Sequence, residues 1–197
     1  MPLHTCLPQD DHLAVRRVLQ EGFVRLVNLE EFVSTQHNLT LDLAGGEYAV
    51  VWMKWSKLKR LALWHPDADL EPEFWNRIAK HSSLETLVLP NFGRHDRINI
   101  KEQYFNHTDR PFTVIFCKPP GWYTVKPEDS LGDWEDHNPT PKMTILEHDM
   151  PEVGDQNRLE LYQGYFRASA ENGTLWNWEG QILKGPGDMG ILYQHKR

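Results

Sequence analysis

Two copies of the pattern L-x-x-L-x-L, 26 residues apart, constrain this chain more than any other feature. Leu58, Leu61 and Leu63 lie in Lys57-Leu-Lys-Arg-Leu-Ala-Leu63. They recur as Leu84, Leu87 and Leu89 in Ser83-Leu-Glu-Thr-Leu-Val-Leu89. Self-similarity at a fixed period of about 20 to 50 residues marks a repeat architecture. One strand–helix unit cannot bury its apolar face alone, so neighbours must stack. Intervals of this length leave room for the crossover that parallel strands require.

Weaker copies extend the series. Leu29 and Phe32 align with Leu58 and Leu61 at an offset of 29. Val114 and Phe116 fall 27 residues after Leu87 and Leu89, in the apolar run Phe112-Thr-Val-Ile-Phe116. Met143-Thr-Ile-Leu146 reads as a fifth strand, with Thr144 placed 30 residues after Val114. Between these strands the pattern predicts helices. One is capped by Asp10 or Asp11 and runs to about Glu21, ended or bent by Gly22. Pro72 opens another, whose stripe is Phe74, Trp75, Ile78 and Ala79. Residues 98–105 form a short third, and a fourth, capped by Asp155, carries Leu159, Leu161, Tyr162, Tyr165 and Phe166 before the Asn172-Gly173 stop. The alternation at Leu39–Leu43 suggests a short extra strand. The apolar run Tyr48–Trp55 suits a buried helix or a strand, between which periodicity cannot decide; its place ahead of the strand at Leu58 favours a helix.

The fold class is therefore α/β: a short, irregular solenoid of parallel strands closed by capping helices. Residues 1–10 read as a loose tail, 11–183 as one domain with a long irregular loop at 119–141, and 184–197 as a second tail. Trp176 and Trp178 follow the fourth helix and are expected to pack on the last unit of a monomer. Trp176→Ala is then expected to cost roughly 3–5 kcal/mol.

Charge and cysteine usage exclude several function classes. A net charge of −7 argues against a phosphate-backbone binder. The basic group Lys54, Lys57, Lys59 and Arg60 reads as a solvated edge. Two cysteines, Cys6 and Cys117, are too few for a disulfide framework. No stretch approaches the ~18 apolar residues of a spanning helix, and Met1–Asp11 is too polar for a signal peptide. A cytoplasmic or nuclear protein without membrane contact is expected.

Strands of this type, separated by helices at 26 to 30 residues, resemble leucine-rich repeats. The helix-bearing, irregular version is similar to the leucine-rich-repeat regions of fungal F-box-type proteins, although no F-box segment stands ahead of the first strand. The residues carrying the likeness are Leu29/Phe32, Leu58/Leu61/Leu63, Leu84/Leu87/Leu89 and Val114/Phe116, within roughly residues 11–150. The resemblance implies a binding scaffold with a concave parallel sheet, no cofactor and no chemistry of its own.

Two functional expectations follow. In the first, the chain is an interaction module. Its sheet face, contributed by Glu31, Arg60, Ala62, Thr86, Val88, Thr113 and Ile115, or its strand-end rim takes a protein or a small molecule. In the second it is a small cofactor-independent enzyme, an isomerase, cyclase or hydrolase. Ligands of α/β folds sit at strand C-terminal ends, and those ends carry His65, Asp67 and Asp69, then Asn91, His95 and Asp96, then Lys118, then Glu147, His148 and Asp149. A histidine beside carboxylates suits acid–base work near neutral pH, which makes His65, His95, Asp96, His148 and Asp149 the catalytic candidates. Trp64, Asp67, Lys118, Trp122, Tyr123 and Trp134 are the binding candidates. No H-x3-H, H-E-x-x-H or C-x-x-C spacing exists, so no metal is expected. Nucleophile signatures are likewise missing, and Cys117, in an apolar strand, is expected to be packed rather than reactive.

Overall fold

Strand pairing follows the leucine ladder. The computed structural model describes residues 15–35, 40–42, 48–64, 72–90, 99–118, 136, 142–153 and 157–184. Its elements in chain order are α1 (Val15–Val24), β1 (Glu31–Ser34), β2 (Thr40–Asp42), β3 (Tyr48–Val50), a 3-10 helix (Val51–Lys54) and β4 (Arg60–Leu63). They continue with α2 (Pro72–Lys80), β5 (Thr86–Leu89), α3 (Ile100–Phe105), β6 (Phe112–Lys118) and β7 (Met143–Asp149). α4 (Arg158–Glu171), a second 3-10 helix (Leu175–Asn177) and β8 (Gln181–Ile182) complete the series. Among the described residues, a six-stranded sheet runs in the order β1-β4-β5-β6-β7-β8. It is parallel from β1 to β7, and β8 is antiparallel. The protein is thus α/β with a mainly parallel sheet. β2 and β3 form a separate antiparallel pair.

The ladder sets the register. Phe32, Leu61, Leu87, Val114 and Ile145 lie side by side. The first three steps match the spacing read from the sequence. The last does not: Val114 pairs with Ile145, so the expected Thr144 is one residue off. Side chains alternate along a strand, so the expected register would have turned Thr144 inward and Ile145 outward. Burial decides the matter, for Ile145 is fully buried and Thr144 half-buried.

One face of the sheet packs on α2 and α3. Leu61, Leu63, Leu87, Leu89, Val114 and Phe116 meet Phe74, Trp75 and Ile78 of α2 and Ile100 and Tyr104 of α3. The expected stripe of α2 is buried as a unit. α3 begins where Asn99 Oδ1 accepts a bond from the Glu102 amide at 3.0 Å, a side-chain N-cap. The expected helix at Tyr48–Trp55 is instead a strand followed by a single 3-10 turn. Residues 48–50 are held extended by pairing with β2, an interaction that local periodicity does not encode. α1 passes through Gly22 to Val24. Phe23 is held against Phe32 and Trp55, which explains why the glycine does not end the helix.

The other face was expected to be open and concave; half of it is covered. Ala62, Val88 and Ile115 are buried in a second core. This core also holds Tyr162 and Phe166, one turn apart on α4, with Leu175 and Trp178. The chain turns back through Gly173, whose φ of 76° suits a helix C-terminus that only glycine adopts without strain. Asn157, left-handed at φ 59°, precedes α4; the expected cap, Asp155, lies outside the described residues. Trp178 is buried and Trp176 only half-buried, so the larger stability effect moves from Trp176 to Trp178.

Candidate functional site

The C-terminal strand ends hold some of the expected residues. His65, Asp67, Asp69, Asn91, His95, Asp96, Trp122, Tyr123 and Trp134 lie outside the described residues, as does the side chain of Lys118. Trp64 does not wall a surface pocket. It is buried in the second core with its ring 5.5 Å from Phe166, because the β4 alternation that turns Ala62 toward α4 turns Trp64 the same way. Asp149 is exposed and stands beside Lys118 in the ladder. Among the described residues no group of three or more His, Cys, Asp or Glu side chains could hold a metal ion.

His148 is the expected catalytic candidate whose surroundings are defined. Its Nδ1–H donates to the Glu179 carbonyl at 2.7 Å, since a carbonyl can only accept. In the neutral ring Nε2 is then the acceptor, and Tyr165 Oη lies 3.3 Å from it. The imidazole stacks on Trp178 with centroids 4.3 Å apart and planes 6° apart. Tyr165 is nearly parallel as well, 5.6 Å from Trp178. A backbone carbonyl thus fixes the tautomer and points a basic nitrogen at a phenol, an arrangement able to pass a proton between Tyr165 and His148.

The close approach of β8 makes this possible. A Cβ on Gly180 would overlap the Glu147 carbonyl oxygen and lie 2.6 Å from its carbon. Both neighbours are backbone, so neither can turn aside. Gly180→Ala is expected to push β8 off β7 and cost about 1–3 kcal/mol in urea unfolding, as overpacking does. The His148–Glu179 bond should lengthen with it, which the His148 ring resonances would report. An unchanged unfolding midpoint would contradict the close approach.

A second arrangement lies toward the N-terminal end of the same sheet face, one alternation before the row Ala62, Val88 and Ile115. Glu31, Arg60, Thr86, Thr113 and Thr144 form one row across five strands. Neighbours in such a row are about 4.8 Å apart. The four from Arg60 to Thr144 are half-buried and Glu31 is exposed. Arg60 pairs with Glu31 at 3.0 Å and lies 6.0 Å from the Trp176 ring centroid, while Trp176 Nε1 donates to Glu31 at 2.9 Å. This partly exposed pair contributes at most about 1 kcal/mol, so its role is to shape the surface.

A third feature, which the sequence did not suggest, is an open cavity of about 420 Å³ at the strand N-terminal ends, lined by Lys59, Ser82, Ser83, Glu85, Arg110 and Pro111. Lys59 bonds Glu30 at 2.8 Å, which holds the carboxyl below and the ammonium above their usual ranges. Arg110 donates to the carbonyls of Leu84, Ala79 and His81. Its signal was obscured because the repeat pattern treats the residues ahead of β6 as a loop. Cys117 is buried, and that burial pushes its thiol well above the ordinary value, so it is not a nucleophile at neutral pH.

The fold and these sites define an α/β protein with a mainly parallel sheet, one face of which the described residues cover only in part. Compared with family models, curated proteins and solved structures, the chain matches none.

Proposed function

We propose that this chain is a non-enzymatic binding module, an irregular leucine-rich-repeat-like scaffold that presents the uncovered strip of its sheet to a protein partner. The observation that carries this reading is the row Arg60–Thr86–Thr113–Thr144, half-exposed on strands whose opposite side is a packed core. Rigid strands hold such a row at fixed spacing, which lowers the entropy lost on binding. The half-buried Trp176 and Arg60 beside the strip are residue types enriched at interfaces. Small-molecule sites are concave instead.

The test uses Thr113→Glu together with Arg60→Ala, both at half-exposed positions. Cross-linking and affinity capture should recover a partner with the wild type. Recovery should fall at least tenfold with the double variant, while its circular dichroism and melting curve stay unchanged. Equal recovery by a folded variant would sink the strip as the binding surface. One observation favours the second reading, a small acid–base enzyme: the fixed tautomer of His148. That reading requires turnover of a metabolite that His148→Gln abolishes and Thr113→Glu does not.

A further inference from the structure

Helix ends leave carbonyls without intrahelical partners, and here a guanidinium collects them. Arg110 Nη2 donates to His81 O at 2.7 Å and Ala79 O at 3.3 Å, and Nη1 to Leu84 O at 3.1 Å. Those carbonyls span the C-terminal end of α2 and the turn into β5. At the start of the turn, directly after α2, His81 is 4% exposed, its ring 6.1 Å from that of Trp52. Its Nδ1 is 3.5 Å from Ser83 Oγ, and the Ser83 hydroxyl donates to Leu58 O at 2.9 Å.

We propose that His81 and Arg110 form an acid-released latch that fastens the end of α2 and the turn into β5 to the loop ahead of β6. The groups acting on the ring come from each neighbouring element. The Trp52 and Trp55 carbonyls favour its charged form, as does the His81 carbonyl. Arg110, from the loop ahead of β6, opposes it. Burial is the largest influence and holds the pKa below the ordinary 6.5. Asp109, beside Arg110, is occupied by Lys142 at 3.0 Å. Lys59 and Glu85 stand across the adjacent cavity.

The neutral ring is therefore the form that the closed latch accepts. A proton would place a second positive charge in an enclosed space beside the guanidinium bound to His81's own carbonyl. Swinging the turn toward the open cavity hydrates the ring and relieves that repulsion. A base whose folded pKa is depressed stabilises the closed form fully above its unfolded value, and the contribution is lost as pH falls toward the folded one. The opening begins below pH 6.5. It does not depend on the binding reading above.

Amide hydrogen exchange on the full chain tests this. The Leu84 amide donates to His81 O, and those of Glu85 and Thr86 to Lys59 O. Their protection factors, corrected for intrinsic rates, should fall by up to about tenfold per pH unit through this window. Val88 and Val114 should hold theirs. His81→Gln should abolish the dependence. A variant that keeps it, or a parallel loss at Val88 and Val114, overturns the latch. A titration of the wild-type His81 ring stands apart from any variant's folding: a midpoint at or above the ordinary value also overturns it.

Discussion

Trp178→Ala is expected to destabilise the protein by about 3–5 kcal/mol, the range for deleting a large buried ring. Trp178 is 7% exposed and lies among Phe166, Tyr165 and His148 in the core that α4 forms with the sheet. Its removal leaves a cavity lined by aromatic residues held from two elements, α4 and β7. Such a loss is a large share of the roughly 5–15 kcal/mol that holds a domain folded. Urea unfolding gives the magnitude, and Trp176→Ala is the internal comparison. Trp176 is half-buried at the edge of the same core, and it gives up that packing, one bond to Glu31 and one contact with Arg60. Its loss should cost about 1–2 kcal/mol. If the two substitutions cost the same, α4 and its following turn do not cover the sheet as described.

Trp55→Ala should be equally severe, about 3–5 kcal/mol, but felt at the other end of the molecule. Trp55 has 0% exposure, stacks obliquely on Phe32 at 4.9 Å and lies 6.2 Å from Phe23. Its Nε1–H donates to the Phe23 carbonyl at 2.6 Å, where α1 ends. The ring therefore ties α1 and β1 to the 3-10 turn ahead of β4. Trp55→Phe keeps most of the packing but drops the bond and leaves a small void, so about 1–2 kcal/mol is expected. In Trp55→Ala the β1 amides should lose exchange protection before those of β5 and β6. Uniform loss across the sheet would contradict this local role.

Much of the fold was legible because leucine spacing and strand alternation are local properties. The ladder Phe32–Leu61–Leu87–Val114 appears in the structure as spaced in the sequence. Pro72 opens α2, and Asn172-Gly173 closes α4. These signals work because a proline fixes φ, a glycine adopts positive φ, and an inward leucine has one place to go. The step to Ile145 failed because Met143-Thr-Ile-Leu146 is apolar at three of four positions, and alternation cannot then choose a face. The candidate site was legible only in part. His148 could be singled out by its chemistry and its strand-end position. Its carbonyl, phenol and indole partners could not, since Tyr165, Trp178 and Glu179 lie 17 to 31 residues further along.

The sequence by itself determined the leucine spacing, the parallel neighbours and the side of β4, β5 and β6 that α2 and α3 bury, but not the side of β7. Tertiary structure alone decided what the opposite face would be. A row of Ala62, Val88 and Ile115 reads equally well as an exposed docking surface or as an inner wall, because apolar surface has no preferred direction. Only the return of α4, with Tyr162 and Phe166 above that row and Trp178 beside it, settled the choice. It covered the apolar half of the sheet and left the threonine row half-exposed, where hydroxyls can still reach water, since burying a hydroxyl without a partner costs free energy.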